Sequence, residues 1–320
     1  LDPNAKIDGH FAWDLEKGLY RGKIDGIADQ GLEGKLGNLL RGRPASQLFP
    51  GKTKLSWSGQ GNLKDGTRKG SLALDAEGIH LAEGTEPLAL KMSGRYSSDS
   101  ASFPGFRITS RPLQLHGSIE WENSRLFLRE LRGVSGEKTV ISGSASLPLD
   151  PSRLSSREWF AQAAPLEIDL DLSDLPLETV ARCFMPDPPV DARIQSGLRV
   201  SGSPVAPVLN LDFDADGIRV AGKQRSDWSV GVIDLNLAGG DGKVSLKGEY
   251  RHPEINPVRI DGEMPLFPGE WVSGARNLKR EPVQASIRMN HSSLAFLTSQ
   301  VPGLESVSGT ASLDSEIRGE

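Results

Sequence analysis

The stretch VLNLDFDADGI (208–218) alternates without a break. Leu209, Leu211, Phe213 and Ala215 fall on one side; Asn210, Asp212, Asp214 and Asp216 fall on the other. Successive side chains of a β-strand point to opposite faces, so the segment reads as a strand with one apolar and one charged face. Repeated along a chain, that pattern predicts antiparallel sheet with one wet side.

The same reading extends outward in both directions. In PLEIDLDLSDLPL (165–177), Leu166, Ile168, Leu170 and Leu172 alternate with Glu167, Asp169, Asp171 and Ser173. Ile233, Leu235 and Leu237 alternate with Asp234 and Asn236, and the pairs Val244/Leu246 and Ile287/Met289 keep the period. Turn chemistry separates the runs at KDGT (64–67), EGTEP (83–87), SGEK (135–138) and GGDG (239–242), the spacing of a long meander of hairpins. Two short helices are expected, over 175–184 (LPLETVARCF) and 292–301 (SSLAFLTSQV). Asp174 is the expected N-cap of the first and Pro186 its stop, with Leu177, Val180, Ala181 and Phe184 on one face; Pro302-Gly303 ends the second.

Part of the opening stretch is written twice. LDAEGIHL (74–81) matches FDADGIRV (213–220), with Asp75, Ala76, Gly78 and Ile79 returning 139 residues later as Asp214, Ala215, Gly217 and Ile218. A second, gapless register sets 147–202 on residues 117 further along. It lays Leu166, Ile168, Leu170 and Leu172 over Val283, Ala285, Ile287 and Met289, and Pro148-Leu149 over Pro265-Leu266. The two offsets differ by 22 residues, which places one extra hairpin between Leu81 and Leu147. The chain therefore divides into the end of a preceding repeat (1–58), a full repeat (59–201) and a second, incomplete one (202–320). The glycines of the repeated phrase are expected to relieve the backbone at a bulge or tight turn.

An apolar sheet face must be covered. Two sheets can close on each other as a sandwich, or one sheet can curl into a trough with its apolar side inward. The alternation alone is common to both.

Composition narrows the function. With 42 acidic against 37 basic residues and net charge −5, the 320-residue chain lacks the basic balance of a nucleic-acid binder. Cys183 is the single cysteine, and His10, His80, His116, His252 and His291 are scattered without ligand spacing, so no metal or other cofactor is expected. The carboxylates Asp169/Asp171/Asp174 and Asp212/Asp214/Asp216 lie on strand faces at a separation of ~7 Å, too wide to share one calcium ion, and read as a solvated face. No nucleophile elbow, triad order or phosphate-cradling glycine loop is present, and no enzyme is expected. Trp13, Trp57, Trp121, Trp159, Trp228 and Trp271 are dispersed along the chain. No apolar run is long enough to span a membrane as a helix. Leu1 in place of an initiator methionine is the expectation for a piece of a longer protein.

The phrase LRVSGSPVAPVLNLDFDADGIRV (198–220) resembles the G-[ST]-x-x-x-P-x-[LIV]-x-[LIV] element that punctuates the TamB family, of the translocation and assembly module. ISGSASLPLDP (141–151) and VPGLESVSGTASLDSEIRG (301–319) resemble its recurrent strand-and-turn elements. The resemblance is specific over 135–320 and general over 1–134. It implies an AsmA-like β-groove, a β-taco of elongated curled antiparallel sheet with short interspersed helices, serving here as a middle segment. The implied parent is anchored in the inner membrane and crosses the periplasm of the cell envelope. The implied function is bridge-like transport of phospholipid to the outer membrane, with acyl chains lying along an apolar floor. The residues expected to line that floor are Leu166, Ile168, Leu170, Leu172, Leu209, Leu211, Phe213, Ile233, Leu235, Leu237, Val244, Leu246, Ile287 and Met289. The alternative implied role is a scaffold for outer-membrane β-barrel assembly, pairing by β-augmentation with a TamA-like partner.

Overall fold

Several hairpin turns fall where the sequence places Gly, Asp or Asn, others at Arg111-Pro112 and Pro253-Glu254, and the strands between them are long. The computed structural model describes residues 6–28, 51–80, 85–149, 164–185, 190–220, 231–267, 270, 276–277, 281–296 and 306–319. In chain order the strands are β1 (Lys6–Asp14), β2 (Leu19–Ala28), β3 (Lys52–Asn62), β4 (Arg68–Ile79), β5 (Leu88–Ser97) and β6 (Ser100–Ser110). There follow β7 (Leu113–Glu122), β8 (Arg125–Ser135), β9 (Lys138–Pro148), β10 (Leu166–Pro176), β11 (Val190–Gly202) and β12 (Pro207–Val220). The last are β13 (Gly231–Gly240), β14 (Lys243–His252), β15 (Ile255–Pro265), β16 (Val283–Ser293) and β17 (Thr310–Gly319). The fold is all-β and antiparallel, curled and not closed into a barrel.

The β13–β14 hairpin turns on Asp241 and Gly242, both with positive φ, the conformation that matches the twist of the flanking strands. Asn123 and Ser124 do the same between β7 and β8. Before β4, Asp65 accepts hydrogen bonds from the Thr67 amide (2.8 Å) and hydroxyl (2.6 Å), an Asx-type turn that leaves positive φ to Gly66.

Contacts divide the chain into two units: Leu1–Ser155 with Thr179–Pro186, and Ser156–Glu178 with Asp187–Glu320. In the first, each strand from β1 to β9 pairs with the next. In the second, β10 to β17 do the same. Within each unit the described strands thus form one continuous antiparallel meander, each strand hydrogen-bonded to its sequence neighbours.

One short helix, α1 (Leu177–Ala181), begins two residues later than expected. Leu175 and Pro176 are the end of β10, and Asp174 is not an N-cap. It occupies a bulge with φ 50°, its carboxylate paired with Arg193. The inward face also differs: Thr179 and Cys183 are buried, whereas Phe184 is 59 % exposed. The expected second helix is a single 3-10 turn, Leu294–Phe296, after a β16 that includes Ser292 and Ser293. Pro186 and the segment 297–301 lie outside the described residues, as do Trp159, Trp228 and Trp271.

The 117-residue offset carries β9 onto β15, and β10 onto β16, with both ends coinciding. It carries α1 onto the 3-10 turn, and the end of β11 onto that of β17. The bulge of β10 between Leu172 and Leu175 returns in β16 between Met289 and Ser292. Leu175 and Ser292, the equivalent positions that follow it, are 1 % and 2 % exposed. The phrase repeated at 139 residues is a bulge as well. The register slips between Ala76 and Ile79 in β4, and between Ala215 and Ile218 in β12. Gly78 and Gly217 take φ 72° and 70° there. One extra residue keeps alanine and isoleucine, three apart, on the same face, and only the left-handed conformation of glycine provides it without strain.

Candidate functional site

Strand register sorts the second unit into apolar rows that run across the strands. One row joins Leu170, Leu198, Leu211, Leu237, Leu246, Gly262, Ala285 and Ile317. Beside it run Ile168, Val200, Leu209, Gly239, Val244 and Met264. On the other flank run Leu172, Ser196, Phe213, Leu235, Gly248, Ile260 and Ile287. The row beyond holds Ile194, Ala215, Ile233, Tyr250, Val258 and Met289. Leu166 stands opposite Gly202 at the end of β10. The fourteen residues singled out from sequence therefore share one face. Leu166 and Val244 are buried and the other twelve half-buried.

Half-burial is the informative state. Leu209, Leu211 and Phe213 are neither sealed in a core nor free in water, while Asn210 and Asp212 between them are exposed. Cross-strand neighbours shield the apolar face in part, and among the described residues no second sheet covers it. Polar groups interrupt it at buried Ser196, at Ser315 opposite Ile287, and at Tyr250, whose phenol is pushed up by burial.

The first unit carries an equivalent face that the sequence reading did not specify. Leu55, Leu74, Met92 and Phe106 form one row. Ala76, Leu90, Ile108, Leu115, Gly133 and Ile141 form another. A third runs Phe11, Gly22, Gly59, Gly70, Tyr96, Ala101, Trp121, Leu126 and Leu147. Its glycines are notches for rings. A Cβ on Gly22 would lie 2.5 Å from the Phe11 ring, and one on Gly59 would lie 2.5 Å from Trp57 and 2.6 Å from the Tyr96 hydroxyl. Trp57 stacks on Phe11 with centroids 6.1 Å apart, and its indole N–H donates to the Tyr96 hydroxyl at 2.6 Å. Rings folded over glycine shield the backbone where no side chain can. At the first strand the face is open, with Ile7, Phe11 and Trp13 about 60 % exposed.

The opposite face is charged and paired within itself. In the second unit Arg199 reaches Asp169 and Asp171, each at 3.0 Å, Asn236 donates to Asp212 at 2.6 Å, and Arg251 pairs with Asp234. Of the carboxylates weighed as calcium ligands, Asp169, Asp171, Asp174 and Asp212 thus have arginine or amide partners, and no group of metal-ligating side chains assembles among the described residues.

No protein-family model matches the chain, and comparison with curated proteins and with solved structures finds no match either. What the fold and this face define is a class by architecture alone: an all-β, antiparallel sheet protein, not closed into a barrel, whose apolar face is half-buried among the described residues. Among the described residues no helix is long and apolar enough to cross a membrane.

Proposed function

We propose that this chain is a periplasmic segment of a bridge-like lipid-transfer protein, its apolar face carrying the acyl chains of phospholipid between inner and outer membrane. The observation that carries the reading is the continuity of the leucine row from Leu170 to Leu246, half-buried at every strand. Covering methylene groups contributes about 0.8 kcal/mol each, and an acyl chain offers many of them. A floor of Leu, Ile and Val presents similar, non-directional sites in series, which favours sliding over capture. The resemblance to the TamB family supports the same reading.

Native mass spectrometry of the purified chain, with lipid extraction from the same sample, tests it. Adducts that extract as phospholipid, and that disappear in a folded Leu170→Asp/Leu211→Asp variant, are the expected result. A clean apo mass with no uptake of added phospholipid would overturn it.

The alternative is a scaffold that pairs with strands of nascent outer-membrane barrels. It draws on β1 and β17, which carry open apolar side chains: Trp13 at 61 % and Ile317 at 50 %. Charged substitutions along the leucine row leave that activity intact and abolish lipid uptake, which separates the two.

A further inference from the structure

The polar face of the first unit is not uniform. Over β1 to β6 it holds two adjoining concavities of about 580 and 480 Å³ that share Lys23, Ser58, Ser71 and Arg95. The side chains that the register puts on this face are small, Ser56, Ser58, Ser71, Ala73, Ser93 and Ser102, with cations around them: His10, Arg21, Lys23, Lys69 and Arg95. The lining also includes Trp57, Leu72, Gly22, Gly59, Gly70 and Tyr96, which alternate with them along the strands. No carboxylate is in the lining; Asp25, beside it, is hydrogen-bonded with Ser56 and paired with Lys23. This chain has 42 acidic against 37 basic residues, and a concavity of the second unit is lined by five carboxylates, Asp212, Asp214, Asp234, Glu249 and Asp261, against two cations, Lys247 and Arg259.

Register explains the juxtaposition. His10, Lys23, Ser58, Ser71 and Arg95 form one continuous row across five strands, and Arg21, Gln60 and Lys69 form the next. Of these cations Lys23 alone has a carboxylate partner among the described residues, Asp25 at 2.7 Å; Arg21 rests at 3.4 Å on the Gln60 carbonyl oxygen. Among the described residues Lys69 and Arg95 have neither ion pair nor side-chain hydrogen bond. Ser58 and Ser71 are joined hydroxyl to hydroxyl at 2.8 Å, which leaves the pair with one O–H to donate outward.

From this geometry we infer that the concave polar face of β1–β6 is a binding site for a phosphate mono- or diester. Arg95 and Lys69 neutralise the oxyanion, and the Ser58/Ser71 pair donates to it. Charge-assisted bonds of this kind are the strong ones, and they form most cheaply where the cations are not already committed. The site shares no side chain with the leucine row, so the lipid-transfer reading stands or falls separately.

The test is titration of the intact chain with glycerol phosphate, followed by amide NMR, with chloride at matched ionic strength as control. Saturable shifts at Ser58, Ser71 and Arg95 are expected, with affinity falling about tenfold for each cation removed in Lys69→Gln and Arg95→Gln. Both positions are exposed, so the variants fold. Ser58→Ala/Ser71→Ala weakens binding with the cations in place. Flotation with vesicles containing phosphatidylglycerol identifies the source: binding lost in the cation variants assigns a lipid headgroup, and binding of glycerol phosphate alone assigns a soluble phosphoester. Equal shifts with chloride, unchanged affinity in the variants, or tighter binding of a short DNA duplex at matched phosphate would overturn the inference.

Discussion

Asp214 on β12 stands directly opposite Asp234 on β13, at the position where, one copy earlier, Asp75 stands opposite Lys91 at 3.1 Å. An attractive pair in the first repeat has become two like charges in the second. The Asp214 carboxyl is held above its ordinary value, first by its hydrogen bond with Asp234, then by burial and the repulsion of Asp234, Asp216 and Asp212. A raised carboxyl pKa means the folded state keeps a proton that the unfolded chain has released above 3.8. Stability then falls as pH rises from 3.8 through the folded value, and stays lower at neutral pH. Asp214→Asn is expected to stabilise the fold at pH 7 by about 0.5 kcal/mol, the scale of one cross-strand pair. Thermal melts check the sign: the variant should melt higher than the parent at neutral pH and level with it near the unfolded carboxyl pKa.

The two bulge glycines should respond alike to substitution. A Cβ on Gly217 meets nothing within 4 Å, so the cost of Gly217→Ala is that of the left-handed backbone alone, about 1–2 kcal/mol. Gly217→Asn should cost less, because asparagine tolerates that conformation. Gly78, with nearly the same φ, should show the same ranking in chemical denaturation. Equal losses for alanine and asparagine would point to a clash and remove the backbone explanation.

Gly70 behaves differently. Its added Cβ would lie 2.3 Å from the Ser58 carbonyl oxygen and 2.6 Å from the Tyr96 hydroxyl. Backbone cannot yield as a side chain can, so Gly70→Ala should cost about 1–3 kcal/mol, the range for overpacking. Tyr96→Phe should cost about 1 kcal/mol through the lost acceptor for the Trp57 indole. Trp57 fluorescence should change in both variants.

What the sequence made legible followed its periods. The alternation in 208–218 assigned faces correctly, and the 117-residue offset anticipated the coincident strand ends of β9 with β15 and of β10 with β16. The helix start was missed because Asp174, a good N-cap residue, spends its side chain on Arg193 inside a bulge. The aromatic notches at Gly22, Gly59 and Gly70 were invisible for another reason. Which glycine lies under which ring depends on pairing across strands, and no local pattern records that. The cationic row of β1–β5 depends on the same register. Lys23, Lys69 and Arg95 are far apart in sequence and become neighbours only through it.

The leucine row makes a last prediction that distinguishes sliding from static storage. Leu170, Leu198, Leu211, Leu237 and Leu246 succeed one another strand by strand, so an acyl chain that moves along the face must pass each of them. A charge at any one position interrupts the path whatever the strand. Leu198→Asp and Leu246→Asp should therefore reduce transfer between donor and acceptor vesicles to a similar, near-complete extent. Bound lipid should fall less in either single variant than in Leu170→Asp/Leu211→Asp. All five side chains are half-buried, so each variant should keep its strand content by circular dichroism. Graded transfer defects that track the number of leucines left, with no blockade by a single charge, would mean the row holds lipid without conducting it.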